Sequence, residues 1–173
     1  MIEINLNDKV SAEVSEDSII IKGPLGTNKR RFNKRLLNVK VEGSKIVIDY
    51  NKDKKLERKA YAAQNSLAKE ISNDIKGVQE YYTVNMVTAF THFPMTVEVK
   101  GNKILIKNIF GELAPRYADI VGDTKVEVKG QNIKVYGTKL DDVKQTCANM
   151  ILACKPKNKD IRIFQDGIYY AVE

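Results

Sequence analysis

Two short segments gather more positive charge than their surroundings. Lys29 to Arg35, KRRFNKR, holds five cations in seven residues with Phe32 among them. Lys155 to Arg162, KPKNKDIR, holds four in eight and runs on into Phe164, Gln165 and Asp166. Clustered lysine and arginine neutralise phosphates and release counterions, while backbone and amide groups set the register on a nucleic acid. Pro156 and Asn158 give the second segment a defined shape, which suits structured RNA, read largely by shape and 2′-hydroxyl contacts. A solvated charged surface is the competing reading of either run.

Residues for bond-making chemistry are sparse. There is no G-x-x-x-x-G-K-[ST] and no G-x-G-x-x-G, so phosphate-cradling loops of those kinds are missing. The single histidine, His92, has no neighbouring motif that would make it a general base. Asp141 and Asp142 form an acidic pair, but at the start of a helical pattern, where carboxylates complement the helix dipole. Gly23-Pro24-Leu25-Gly26 matches the GXXG loop of KH-type RNA binders only superficially. That loop joins two helices, and this one follows a strand pattern. Cys147 and Cys154 stand seven apart on a helical pattern, about 10.5 Å between Cα atoms, too far for a disulfide. They share an apolar face with Leu140, Val143 and Ile151 and read as core thiols. Without a C-x-x-C pair, no zinc site is expected. The expectation is a protein with no enzymatic activity, no cofactor and no metal.

Net charge of +7 and a pI of about 9.3 favour a polyanionic partner. Residues 1–82 carry 16 basic and 12 acidic groups and residues 83–173 carry 13 and 10, so neither half stands out. Hydrophobic residues make up 43%, which supports a globular chain. No apolar run approaches the ~18 residues of a membrane span, and MIEINLNDKV lacks the basic head and apolar core of a secretory signal. A cytoplasmic protein with no membrane partner is expected.

The elements that must position these residues come in two copies. IIIKGPLG at Ile19 to Gly26 is answered by ILIKNIFG at Ile104 to Gly111, and VKVEGSKIVI at Val39 to Ile48 by VEVKGQNIKV at Val126 to Val135. Near-constant spacing of this length marks a domain duplication rather than a solenoid. VSAEV, SIIIKG and KVEGSKIVIDY alternate as half-buried strands do, as do MTVEV, KILIK, KVEVKG and IKVYG. Gly43-Ser44, Gly101-Asn102 and Gly130-Gln131 can close two-residue hairpins. Ala63, Leu67, Ile71, Ile75 and Val78 predict an amphipathic helix over roughly Asp53 to Gln79. A second helix, LDDVKQTCANMILAC, stops before Pro156, with Thr138 and Asp141 resembling a capping box at its start. YYTVNMVTAFTHF begins as a strand and joins the copies closely, and the tail ends in a short alternating strand. The fold class is α+β: two tandem duplicated domains, 1–82 and 83–173, each a small antiparallel β-sheet packed with one main α-helix.

At NIFGELAPR (Asn108 to Arg116), VGDTKVEVKG (Val121 to Gly130) and FQDGIY (Phe164 to Tyr169), the chain resembles archaeal members of the universal L-six family of large-subunit ribosomal proteins. HFPMTVEVKG (His92 to Gly101) and QTCANM (Gln145 to Met150) also fit. KGPLG at Lys22 to Gly26 and NDIKGV at Asn73 to Val78 fit more loosely. The resemblance implies a structural constituent of the large ribosomal subunit. It implies binding to large-subunit rRNA, mainly through the second domain, near the sarcin–ricin loop and the stalk base. Neighbouring ribosomal proteins, including those of the stalk base, are implied partners, with translation factors transiently close. The family's RNA-facing loop falls on Lys155, Lys157, Asn158, Lys159, Arg162, Gln165 and Asp166. Asn108 and Arg116, in the loop after the second strand of that copy, are further candidates, as are His92 and Phe93, for which packing between the domains is the alternative. Phe164 is read as a core anchor and Asp166 as a residue that orders the loop. The basic NKRRFNKR stretch and the two cysteines depart from the family pattern. The alternatives outside the ribosome are a free RNA-binding module and a protein scaffold.

Overall fold

Alternating apolar residues form strands here in pairs closed by tight turns. The computed structural model of the protein describes residues 2–7, 9–53, 55–91 and 93–171. The chain divides into two compact units, Met1–Tyr81 and Tyr82–Glu173.

In the first unit β1 (Ile2–Asn5), β6 (Lys45–Tyr50) and β5 (Leu37–Glu42) form one antiparallel sheet in that order. β2 (Ser11–Val14), β3 (Ser18–Gly23) and β4 (Gly26–Arg31) form another. Helix α1 (Glu57–Gly77) follows, its periodic face delivering Leu67, Ile71 and Ile75 onto Ile19, Ile21, Ile46 and Ile48. Gly43 has φ +60 in the two-residue turn between β5 and β6, a conformation glycine adopts without a Cβ penalty. Gly23 is glycine for another reason. A Cβ there would lie 2.5 Å from Cγ2 of Val78, and the Leu25 N–H donates to the Val78 carbonyl at 3.0 Å.

The second unit repeats this order. β7 (Tyr82–Ala89), β12 (Asn132–Gly137) and β11 (Lys125–Lys129) match β1, β6 and β5. β8 (Thr96–Lys100), β9 (Lys103–Lys107) and β10 (Arg116–Asp119) match β2, β3 and β4. Helix α2 (Leu140–Cys154) contributes Val143, Cys147, Met150 and Cys154 to a core with Ile104, Ile106, Ile133 and Val135. One strand has no counterpart: β13 (Gly167–Tyr170) pairs with the free side of β7 and places Ile168 in the core. The chain is thus α+β, with a small set of antiparallel strands and one main helix in each unit.

Several expectations need correction. β1, β4 and β10 were not expected as strands. The basic run enters β4, and Arg116 opens β10 rather than lying in a loop. α1 starts at Glu57, not Asp53. The N-cap of α2 is Lys139, extended and with no side-chain cap hydrogen bond of its own.

Candidate nucleic-acid interface

The two basic segments fare differently once folded. In β4 the residues alternate, so Asn28 and Arg30 face α1 while Lys29 and Arg31 face solvent. Arg30 donates from Nε and Nη2 to the two carboxylate oxygens of Asp74 at 2.8 and 3.0 Å, and its Nη1 lies 3.3 Å from Glu70. Asp74 is buried and also accepts from Asn28 Nδ2 at 3.2 Å. A bidentate pair of this kind fixes geometry, so this arginine ties β4 to α1 and cannot serve a phosphate. Phe32 packs on the core, and Lys34 pairs with Glu16 at 3.4 Å.

The second segment stays intact as a loop, 155–166, anchored at both ends. Pro156 cannot continue α2 and drives Lys155 to an extended backbone, ψ 128. Asn158 reverses the chain at φ 55, the left-handed region that asparagine tolerates better than most residues. Asp160 then closes a turn. Its carboxylate accepts from the Arg162 N–H at 2.9 Å, and its carbonyl accepts from the N–H groups of Ile163 and Phe164 at 3.1 and 3.0 Å. Gln165 Nε2 donates to the Arg162 carbonyl at 3.0 Å. Asp166 accepts from the Thr91 N–H at 3.0 Å just before β13 begins. Lys155, Lys157, Asn158, Lys159 and Arg162 are exposed on this frame, and Arg162 bonds only loosely to Asp160, at 3.3 and 3.4 Å. The structure therefore brings the seven loop candidates together. Asp166 and Gln165 serve as ties, and the cations are exposed, with Lys159 resting over the ring of Phe164.

Arg116 sits beneath the start of the loop, and Asn108 precedes the short turn Ile109–Gly111. Arg116 donates to both Glu112 oxygens, at 2.6 and 2.8 Å, and its Nη1 donates to the carbonyls of Ala153 and Lys155 at 2.9 and 2.8 Å. Helix α2 has no basic residue in its own last turn, so Arg116 supplies the cation that complements its negative end. The hydrogen bond from Arg116 holds the Glu112 carboxyl below its usual range and raises the guanidinium in turn. The tie is fully present above the ordinary carboxylate range and is lost as pH falls through the lowered value. Arg116 also lies 5.5 Å over the ring of Phe110. That ring meets Phe164 edge-on at 5.8 Å, and Lys159 Nζ stands 4.8 Å over Phe164. Phe110 and Asn108 both have positive φ, 53 and 59, an uncommon state that costs about 1 kcal/mol or more for a bulky residue. Asn108 Nδ2 donates to the Pro94 carbonyl at 3.1 Å. Phe93 covers Gly111, where an added Cβ would meet its ring at 3.1 Å. His92 lies outside the described residues. This support, with links between residues far apart in sequence, was missed; only the unusual NIFGELAPR string marked it.

The open cleft of about 620 Å3 in the first unit is lined by Glu16, Lys34, Asp49 and Lys52 among others. Among the described residues no cluster of histidine, cysteine and carboxylate could hold a metal, and no helix is long and apolar enough to cross a membrane. Cys147 and Cys154 are free and buried, and burial pushes both thiols up to about 11. They are therefore protonated and inert at neutral pH.

The second of the two α+β units thus carries exposed cations on a loop that is tied down after its helix. The family profile described as Ribosomal protein L6 matches residues 93–167. Proteins named large ribosomal subunit protein uL6 are similar along almost the whole chain. The Methanosarcina mazei protein is 40% identical over 96% of this chain and 93% of its own length. That of Staphylothermus marinus is 40% identical over 96% and 91%, and that of Haloarcula marismortui 34% over 97% and 93%. The chain belongs to the ribosomal protein L6 family, whose members are structural and not enzymatic.

Proposed function

We propose that this chain is a structural constituent of the large ribosomal subunit, cytoplasmic within the ribosome, held there by rRNA phosphates seated on loop 155–166. The second unit is the main rRNA-binding domain, placed near the sarcin–ricin loop and the stalk base, where translation factors dock. Its partners are large-subunit rRNA and neighbouring ribosomal proteins. The observation that carries this reading is the loop itself: exposed Lys155, Lys157, Lys159 and Arg162 on a backbone tied at Asp160, Gln165 and Asp166. Rigid presentation reduces the ordering cost of binding, and exposed cations give an affinity that falls steeply with salt. His92 retains its place through the resemblance alone. The test is a photo-crosslinking side chain at Asn158 in reconstituted large subunits. Crosslinks mapping to rRNA at the sarcin–ricin loop or stalk base are expected; crosslinks confined to remote rRNA or to protein would refute the placement.

A further inference from the structure

The duplication exposes a difference at one sheet edge. After α2, residues 155–166 carry the chain back so that β13 covers the outer side of β7. After α1, only residues 78–81 precede β7, and β1, the counterpart of β7, remains an edge strand.

The registers make the match residue by residue. Ile4 pairs with Ile46 as Met86 pairs with Ile133, and Ile2 pairs with Ile48 as Val84 pairs with Val135. Leu6 donates to the Ser44 carbonyl at 2.7 Å, and Thr88 donates to the Gln131 carbonyl at 2.8 Å. Backbone groups alternate in direction along an antiparallel strand. Glu3 and Asn5 therefore turn their N–H and C=O away from β6, as Asn85 and Val87 turn theirs toward β13. In the second unit that side is used: Ala171 N–H donates to the Asn85 carbonyl at 3.0 Å. Among the described residues no backbone bond outside the β1–β6 ladder reaches Glu3 or Asn5. Burial tells the same story. Met86 and Thr88 are 1% and 3% exposed beside Ile168, whereas Ile4 and Leu6 at the matching positions are only half-buried on the rim of their core.

We infer that β1 is a docking edge that takes one extended segment of a neighbouring ribosomal protein, paired antiparallel as β13 pairs with β7. Main-chain hydrogen bonds give such strand addition its affinity, and alternate side chains give it specificity. The template states the partner's chemistry. A branched aliphatic residue faces the core beside Leu6, as Ile168 sits beside Thr88. A small residue, as Ala171 is beside Asn85, stands opposite Glu3, whose carboxylate is already met by Lys45 of β6 at 3.2 Å. This inference rests on the chain's place in the large subunit but not on loop 155–166.

Two measurements test it. Asn5→Pro removes an N–H that faces away from β6, a change edge strands tolerate. The free variant should keep the unaltered thermal midpoint and affinity for archaeal large-subunit rRNA. It should leave reconstituted subunits roughly threefold to tenfold faster in a salt wash, the loss of about one hydrogen bond. Ile4→Pro, which breaks a β1–β6 bond, should instead lower the midpoint of the free protein. A photo-crosslinking residue at Glu3 should reach a protein segment of the stated pattern. Release of Asn5→Pro at the unaltered rate, a lowered midpoint for it in the free state, or Glu3 crosslinks only to rRNA or to a second copy would each overturn the inference. Failure of the unaltered chain to enter subunits would instead count against the proposed function.

Discussion

Arg116 shows how a residue of the right type for RNA can be occupied elsewhere. With four hydrogen bonds to Glu112, Ala153 and Lys155, its guanidinium is spent on fixing where α2 ends. The same holds for Arg30 on Asp74. Charge runs were legible in the sequence; which cations remained free was not, because the partners lie far along the chain. A sharp prediction follows at Glu112. Removing an acidic group near a polyanion should tighten binding if charge alone matters. Because Glu112 steadies Arg116, Glu112→Gln is expected to weaken rRNA binding, by about tenfold, and Arg116→Lys should weaken it similarly despite keeping the charge. Filter binding at fixed salt distinguishes the two. The thiols make a second prediction. With both raised to about 11 from an ordinary value of 9.0, the folded second unit holds protons that the unfolded chain releases. Its stability is full below pH 9 and declines up to pH 11, at most about 1.4 kcal/mol per pH unit per thiol. Denaturant midpoints of a Cys147→Ala, Cys154→Ala variant should start lower at neutral pH and fall less across that window.

At the level of elements, period-2 alternation located β3, β5, β6, β8, β9, β11 and β12, because their inward residues are the core isoleucines and valines. β4 escaped since its inward positions are Asn28 and Arg30, and β10 since it is short and opens on Arg116. Buried polar ties replace apolar contacts there, and periodicity carries no sign of them. The link between β4 and α1 therefore depends on Asp74. Asp74→Ala should destabilise the first unit by about 3 kcal/mol, since it removes the bidentate partner of a largely buried guanidinium and leaves it only the longer contact to Glu70 among the ion pairs described. Denaturant titration would show this. By contrast, Gly43→Ala meets nothing within 4 Å and should cost only about 1 kcal/mol, from backbone conformation alone.

For the molecule as a whole, the duplication was readable because spacing between motifs survives divergence of individual residues. What the repeat could not reveal was the asymmetry: a tail strand on one unit, an open edge on the other. The loop between α2 and β13 exists because that tail must return to the sheet, so the same insertion closes the second core and displays the cations. That makes the loop the centre of the account. The most direct measurement is the salt dependence of binding to archaeal large-subunit rRNA by the unaltered chain and by Lys157→Ala, Lys159→Ala, Arg162→Ala combined. Each phosphate contact contributes about 0.7 to 0.9 to the slope of log K against log salt. The triple variant should thus bind more weakly, with a slope shallower by about 2 to 3 and an unaltered thermal midpoint. Equal affinity and equal slope for the two proteins would contradict the assignment of loop 155–166 as the rRNA contact.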